Sequence, residues 1–144
     1  MVEPDTIRLL RECDAGVKMG VESINEVLEY VQNEELRKCL TDCKNKHSKL
    51  EEEMQVLLNQ YHDEGKEPSP MARGMSWIKT NVKLVMNESD GTIADLMTDG
   101  CNMGIKSLSK YLNQYKAADE KSKDITKKLI KLEGKFAEEM RAYL

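Results

Sequence analysis

The chain has 144 residues, of which 33% are charged and only 5% are aromatic. A chain of this length can bury a single core without disulfides or structural metals. Its composition favours long helices over a sheet, which uses more β-branched and aromatic side chains. The net charge of −4 divides into −6 over residues 1–90 and +2 over residues 91–144. Neither half is basic enough to predict a nucleic-acid partner.

Hydropathy along the chain gives no sign of a membrane span. No apolar run approaches the length needed to cross a bilayer, and the N-terminus lacks the apolar segment of a signal peptide. We therefore expect a cytoplasmic location, with the thiols reduced.

The first hairpin is predicted over residues 5–63. Its first helix follows Pro4, with Asp5 or Thr6 available as the N-cap, and its second helix follows Asn33, a good N-cap residue, and ends near His62. The connection between the two helices is short, so they are expected to lie antiparallel. The apolar stripe of the second helix has alternating spacings of four and three residues: Leu36, Leu40, Cys43, His47, Leu50, Met54, Leu57 and Tyr61.

Residues 64–90 are predicted to form a long, partly helical crossover. A short amphipathic helix through Met75 and Trp77 is expected within it, with Arg73 and Lys79 on the polar side. Such a face is suited to cover the bundle itself; the alternative is contact with a membrane surface.

The second hairpin is predicted over residues 91–144. Its first helix is expected to follow a cap at Ser89 or Asp90, and its second helix a cap at Asp119. The apolar stripe of this last helix contains one charged residue, Glu133. The whole chain is therefore expected to be one all-α domain over 1–144, a four-helix bundle of two hairpins joined by a crossover.

The two hairpins share a sequence pattern. Met19-Gly20-Val21-Glu22-Ser23-Ile24 aligns with Met103-Gly104-Ile105-Lys106-Ser107-Leu108 at an offset of 84 residues. In the following helices the offset is 86, which places Asn33 on Asp119 and His47 on Glu133. An internal duplication of this kind predicts two hairpins packed about a pseudo-twofold axis, because each hairpin alone leaves an apolar face uncovered.

This arrangement resembles the ferritin-like fold, and in particular uncharacterised bacterial ferritin-like domains distantly related to rubrerythrin and bacterioferritin. The resemblance covers essentially the whole chain. Its most specific local features are the segment Pro-Ser-Pro-Met-Ala-Arg-Gly-Met-Ser-Trp at 68–77 and the paired glycines Gly16, Gly20, Gly100 and Gly104.

Metal-binding ferritin-like proteins carry a Glu on two helices and a Glu-x-x-His motif on the other two. Here Lys44 precedes His47 by three residues, and Ile130 precedes Glu133. The resemblance therefore implies a degenerate di-iron site, and no cofactor is predicted. A mononuclear site formed by His47, Glu133 and Cys101 is the remaining metal hypothesis.

His47 and Glu133 occupy equivalent positions near the proposed axis. A lone buried carboxylate costs several kcal/mol, so a partner is expected. We predict that the two side chains meet in a charge-assisted hydrogen bond at the centre of the bundle. The alternative is a small rotation of the helices that lets each side chain reach water or a surface partner.

The four helical glycines allow two interpretations. Each costs up to about 1 kcal/mol relative to alanine within a helix. Gly16 and Gly20 lie four residues apart on one face of the first helix, and Gly100 and Gly104 do so on the third. They are expected to allow close helix packing or, alternatively, to leave space for a ligand.

The cysteines are expected to be small buried apolar residues, because no C-x-x-C pair supports a zinc site: Cys13, Cys39, Cys43 and Cys101. Cys39, Cys43 and His47 share a helix face, but within an apolar stripe they are more typical of a core than of a catalytic thiolate–imidazolium pair.

Three functions remain open from the sequence. The first is a non-enzymatic structural or interaction protein without an intact metal centre, acting as a homodimer or with a protein partner. The second is a metal-binding oxidoreductase or iron-handling protein with iron or another divalent metal at a divergent site. The third is a binder of small ligands in the bundle core.

Overall fold

The computed structural model describes residues 2–66 and 89–144, which form an all-α structure of four helices without strands. The helices are α1 (Pro4–Leu28), α2 (Glu34–Gln60), α3 (Ser89–Gln114) and α4 (Glu120–Met140), and a 3-10 turn follows at Arg141–Tyr143. The predicted all-α fold class is confirmed. Most of the predicted crossover, including its short helix through Met75 and Trp77, lies outside the described residues.

The two helix caps within the turns form as predicted. The Asn33 side chain accepts hydrogen bonds from the backbone N–H groups of Glu35 and Leu36, and the Asp119 side chain accepts one from that of Ser122. These bonds satisfy N–H groups that the first turn of a helix cannot pair internally.

The predicted caps of α1 and α3 were wrong. α1 begins at Pro4 and α3 begins at Ser89, so Asp5, Thr6 and Asp90 lie inside the first helical turns. Proline fits this position because it has no N–H to satisfy and its φ is already helical.

The side chains at these helix starts bind the turn of the opposite hairpin. The Thr6 hydroxyl oxygen accepts a hydrogen bond from the backbone N–H of Asp119 at 2.8 Å. The two carboxylate oxygens of Asp90 accept bonds from the backbone N–H groups of Gln32 and Asn33 at 2.9 and 3.0 Å. Each hairpin is therefore held at its turn by the first helix of the other.

Two apolar clusters form the core. α1 packs beside α2 and α3 beside α4, and the hairpins meet through α2 against α4 and through α1 against both α3 and α4. One cluster lies at the α1–α2 turn and includes Leu36, Ile93 and Met140; the other lies at the opposite end and includes Leu9, Leu58 and Leu129. His47 and Glu133 occupy the level between the two clusters.

Candidate functional site

The site at the middle of the bundle is built from α2 and α4. The apolar period of each helix turns His47 and Glu133 inward, where only 3% and 8% of the two residues are exposed. The Nε2 atom of His47 lies 3.7 Å from Oε1 of Glu133. The structure therefore brings the two residues together, at a separation that allows an ion pair but is too long for the direct hydrogen bond we predicted.

The contact made by the other ring nitrogen of His47 shows which nitrogen carries a hydrogen. Nδ1 lies 2.8 Å from the backbone carbonyl oxygen of Cys43, one helical turn earlier. A carbonyl oxygen can only accept, so Nδ1 carries a hydrogen and donates it. Nε2 then faces Glu133 either as a lone pair or, in the imidazolium form, as N–H⁺. Only a further proton at this contact makes it attractive, either on Nε2 or on the carboxyl group.

Gly20 and Gly104 make room for these two side chains. A Cβ atom at Gly20 would lie 3.0 Å from both Cδ2 and Nε2 of His47. A Cβ atom at Gly104 would overlap Oε2 of Glu133. Both glycines therefore lie directly against the polar pair, one on each side, and the space left by their missing side chains holds the imidazole and the carboxylate.

Gly16 and Gly100, one turn earlier on each helix, have a different environment. Apart from the adjoining residues and the backbone of the same helix, no atom of the described chain lies within 4 Å of a Cβ atom built at either position. Close packing therefore does not account for these two glycines, whereas Gly20 and Gly104 accommodate the side chains of His47 and Glu133.

Glu133 retains one unpaired oxygen. Its Oε2 atom is buried and has no hydrogen-bond partner within residues 2–66 and 90–144. A buried polar atom without a partner costs free energy comparable to a lost hydrogen bond. Within the described residues, His47 is the ion-pair partner of this carboxyl group, through Oε1.

Burial determines how acidic the cysteine thiols are. Cys13, Cys43 and Cys101 are buried and Cys39 is partly buried. Burial raises the pKa of the Cys13 thiol to about 11 and that of Cys101 to about 12, and it also raises the pKa of Cys43. The Cys43 sulfur lies 3.5 Å from Nδ1 of His47. Because Cys43 stays protonated at neutral pH, this contact lacks the thiolate that nucleophilic chemistry requires.

Alkylation of the native protein by iodoacetamide should separate the four thiols. Near pH 7.5, about one Cys13 thiol in a thousand or fewer is ionised, given its raised pKa. We expect Cys39 to be modified first and the three buried thiols only after unfolding, as measured by mass spectrometry of peptides. Modification of Cys43 or Cys101 at the rate of Cys39 would show that the centre opens readily.

The donor set does not fit a di-metal centre. The positions to which the ferritin-like resemblance would assign ligands hold Lys44 and Ile130 on α2 and α4, and residues such as Val17 and Gly104 on α1 and α3. No group of three or more His, Cys, Asp or Glu side chains in the described chain is arranged to hold a metal ion. This includes the set His47, Glu133 and Cys101.

A second buried polar network was missed by sequence analysis. Asp14 on α1 is completely buried. Its carboxylate accepts hydrogen bonds from Lys18 Nζ at 2.9 Å, Gln55 Nε2 at 3.1 Å and the backbone N–H of Lys66 at 2.8 Å. The only sequence signal is that Asp14 directly follows Cys13 on the buried side of α1, a position where an unpaired acid would be costly.

These features define a class: an all-α four-helix bundle whose core is divided by a buried histidine–glutamate contact. Within the described residues, no helix is long and apolar enough to cross a membrane. The chain matches no family model and no curated protein. Among solved structures it is similar to a DUF305 fragment from Deinococcus radiodurans, with a TM-score of 0.79 over 98% of this chain and 95% of that one. The two sequences are only 14% identical, so the similarity establishes the fold alone.

Proposed function

We propose that this chain is a ferritin-like bundle formed by duplication of a helical hairpin, in which a histidine–glutamate contact stands where relatives hold metal. It serves as a non-enzymatic structural or protein-interaction module of the cytoplasm. The observation that carries the proposal is the contact between His47 and Glu133 at 3.7 Å, flanked by Gly20 and Gly104.

Equivalent contacts in the two hairpins support the duplication. His47 faces Gly20, and Glu133 faces Gly104. The repeat aligns Gly20 with Gly104 and His47 with Glu133, so the two contacts are equivalent. Thr6 and Asp90 are likewise 84 residues apart, and each bonds the turn of the other hairpin. The same contacts at the same offsets are expected when two copies of one unit pack about an axis.

The chemistry of the centre favours a structural role. Two hard divalent ions need several carboxylates to neutralise and bridge them, and here one carboxylate faces one imidazole. A buried ionisable pair of this kind contributes little net stability compared with apolar residues, but it penalises arrangements in which either partner is left alone. We therefore assign the pair to specifying how the hairpins face each other.

Metal analysis of the purified protein tests this proposal. After expression with added iron, manganese and zinc, followed by dialysis, we expect less than about a tenth of an equivalent of any of these metals per chain. More than about half an equivalent of iron, lost on replacing Glu133 with glutamine, would instead establish an iron-handling protein with a divergent site.

The interaction role predicts self-association or a protein partner. Sedimentation equilibrium of the full chain measures the first directly. A dimer would support the module proposed here, whereas a strict monomer at high concentration restricts the role to binding a different protein.

A further inference from the structure

The turn after α2 is held against α1 through Asp14. The backbone N–H of Lys66 donates to Asp14 Oδ2 at 2.8 Å, and Lys18 donates to the same oxygen. Gly65 packs so closely beneath this carboxylate that an added Cβ would overlap Oδ2, and its φ of +82° suits glycine. Asp14 is therefore the buried acceptor that fixes residues 65 and 66.

A second carboxyl group adjoins Asp14. Gln55 donates from one nitrogen to both Asp14 Oδ1 at 3.1 Å and Glu51 Oε1 at 3.0 Å. Oε2 of Glu51 is buried and has no hydrogen-bond partner in the described part of the chain. Two carboxyl groups thus share one amide donor, and Lys18 is the cation beside them.

We propose that Glu51 and Asp14 form a proton-dependent latch, in which protonated Glu51 keeps the 61–66 turn docked on α1 and ionised Glu51 loosens it. The proposal is independent of the function proposed above.

The physical basis is the cost of two buried negative charges. A protonated Glu51 carboxyl has a hydrogen to donate to Asp14, which leaves one negative charge opposite Lys18. An ionised Glu51 places a second charge beside the first, with one oxygen unpaired. Burial raises the pKa of Glu51 to about 7, and the adjacent Asp14 carboxylate acts in the same direction, while Gln55 and Lys18 act in the opposite direction. The latch therefore changes state within the physiological range.

The direction in which stability depends on pH follows from the raised pKa of Glu51. Between the ordinary value of 4.5 and about 7, the folded chain holds a proton on Glu51 that the unfolded chain has released. The stabilisation that protonated Glu51 provides is complete below pH 4.5 and is lost as the pH rises through about 7.

Other contacts of the turn are independent of Glu51. Arg11 pairs with Asp63, and Lys66 Nζ pairs with Glu12 at 2.7 Å. The hydrogen bond between Arg11 and Asp63 lowers the pKa of Asp63, so that pair stays charged across the range. We therefore expect the turn to loosen locally without detaching.

Amide hydrogen exchange at Lys66 tests the latch directly, because this N–H donates to Asp14. In the full chain, corrected for intrinsic exchange rates, we expect the protection factor of Lys66 to fall about tenfold between about pH 6 and pH 8, equivalent to one pKa unit of coupling. Glu51→Gln replaces the carboxyl group with an amide that stays neutral, and it should abolish the pH dependence of Lys66 protection. Glu52→Gln, at the exposed neighbouring position, should behave as wild type.

A protection factor that stays constant with pH in the wild type, or that falls equally in Glu51→Gln, would overturn the proposal. A second measurement applies even if the variants are unstable. The side-chain carboxyl ¹³C signal of Glu51 in the wild-type protein should titrate with a midpoint near 7. A midpoint at the ordinary value of 4.5 would overturn the latch equally.

Discussion

Replacing His47 with leucine is expected to destabilise the folded chain by about 3 to 5 kcal/mol, the usual cost of removing one partner of a buried charge pair. Glu133 is 8% exposed, and one of its oxygens already lacks a hydrogen bond. Without His47 at 3.7 Å, the buried carboxyl group would lose the polar side chain that faces it. Urea unfolding followed by circular dichroism measures the loss.

The double variant His47→Leu/Glu133→Leu provides the matched control. Replacing both members of a buried pair by apolar side chains of similar volume is often neutral or stabilising by about 1 to 4 kcal/mol. We therefore expect the double variant to recover most of the lost stability. Glu133→Leu alone should cost less than His47→Leu, because an imidazole can remain neutral when buried. Additive losses in the double variant would show that the two residues do not interact.

Gly104→Ala is expected to destabilise the chain by about 1 to 3 kcal/mol, the usual range for overpacking a core. The added Cβ would overlap Oε2 of Glu133. The carboxylate would have to move away from Gly104 within a buried space, and this movement would disturb its contact with His47. Thermal and urea unfolding of the variant measure the effect.

Gly100→Ala, one turn earlier on the same helix, is the matched control. Apart from the adjoining residues and its own helix backbone, no described atom lies within 4 Å of a Cβ built at Gly100. Alanine should therefore stabilise α3 by up to about 1 kcal/mol through its better helix propensity. The penalty of Gly104→Ala should also vanish in a Glu133→Ala background. Equal effects of alanine at 100 and 104 would contradict the assignment of Gly104 to the polar pair.

The sequence and the structure agree most closely where local physics decides the outcome. The helix caps at Asn33 and Asp119 need only a side-chain oxygen within three residues of the first N–H groups, so they could be predicted from the chain alone. The inward position of His47 and Glu133 follows from helical periodicity in the same way, because a residue within an apolar stripe must face the core.

Other features depended on groups far apart in the chain. Thr6 and Asp90 were expected to cap their own helices, but each accepts hydrogen bonds from a turn more than 50 residues away. Asp14 carried no recognisable motif, because its donors come from α1, α2 and the following turn. The four glycines have the same sequence pattern, yet within residues 2–66 and 89–144 two of them lie against a polar side chain and two do not.

The sequence by itself determined the helical class, the positions of two caps and the inward position of His47 and Glu133, since each depends on spacing along one helix. Only the tertiary structure decided how far apart His47 and Glu133 lie, which glycines accommodate them and how Asp14 is satisfied. Those outcomes change when the distance between two helices changes by only a few tenths of an ångström. That approach is set by the packing of all side chains together.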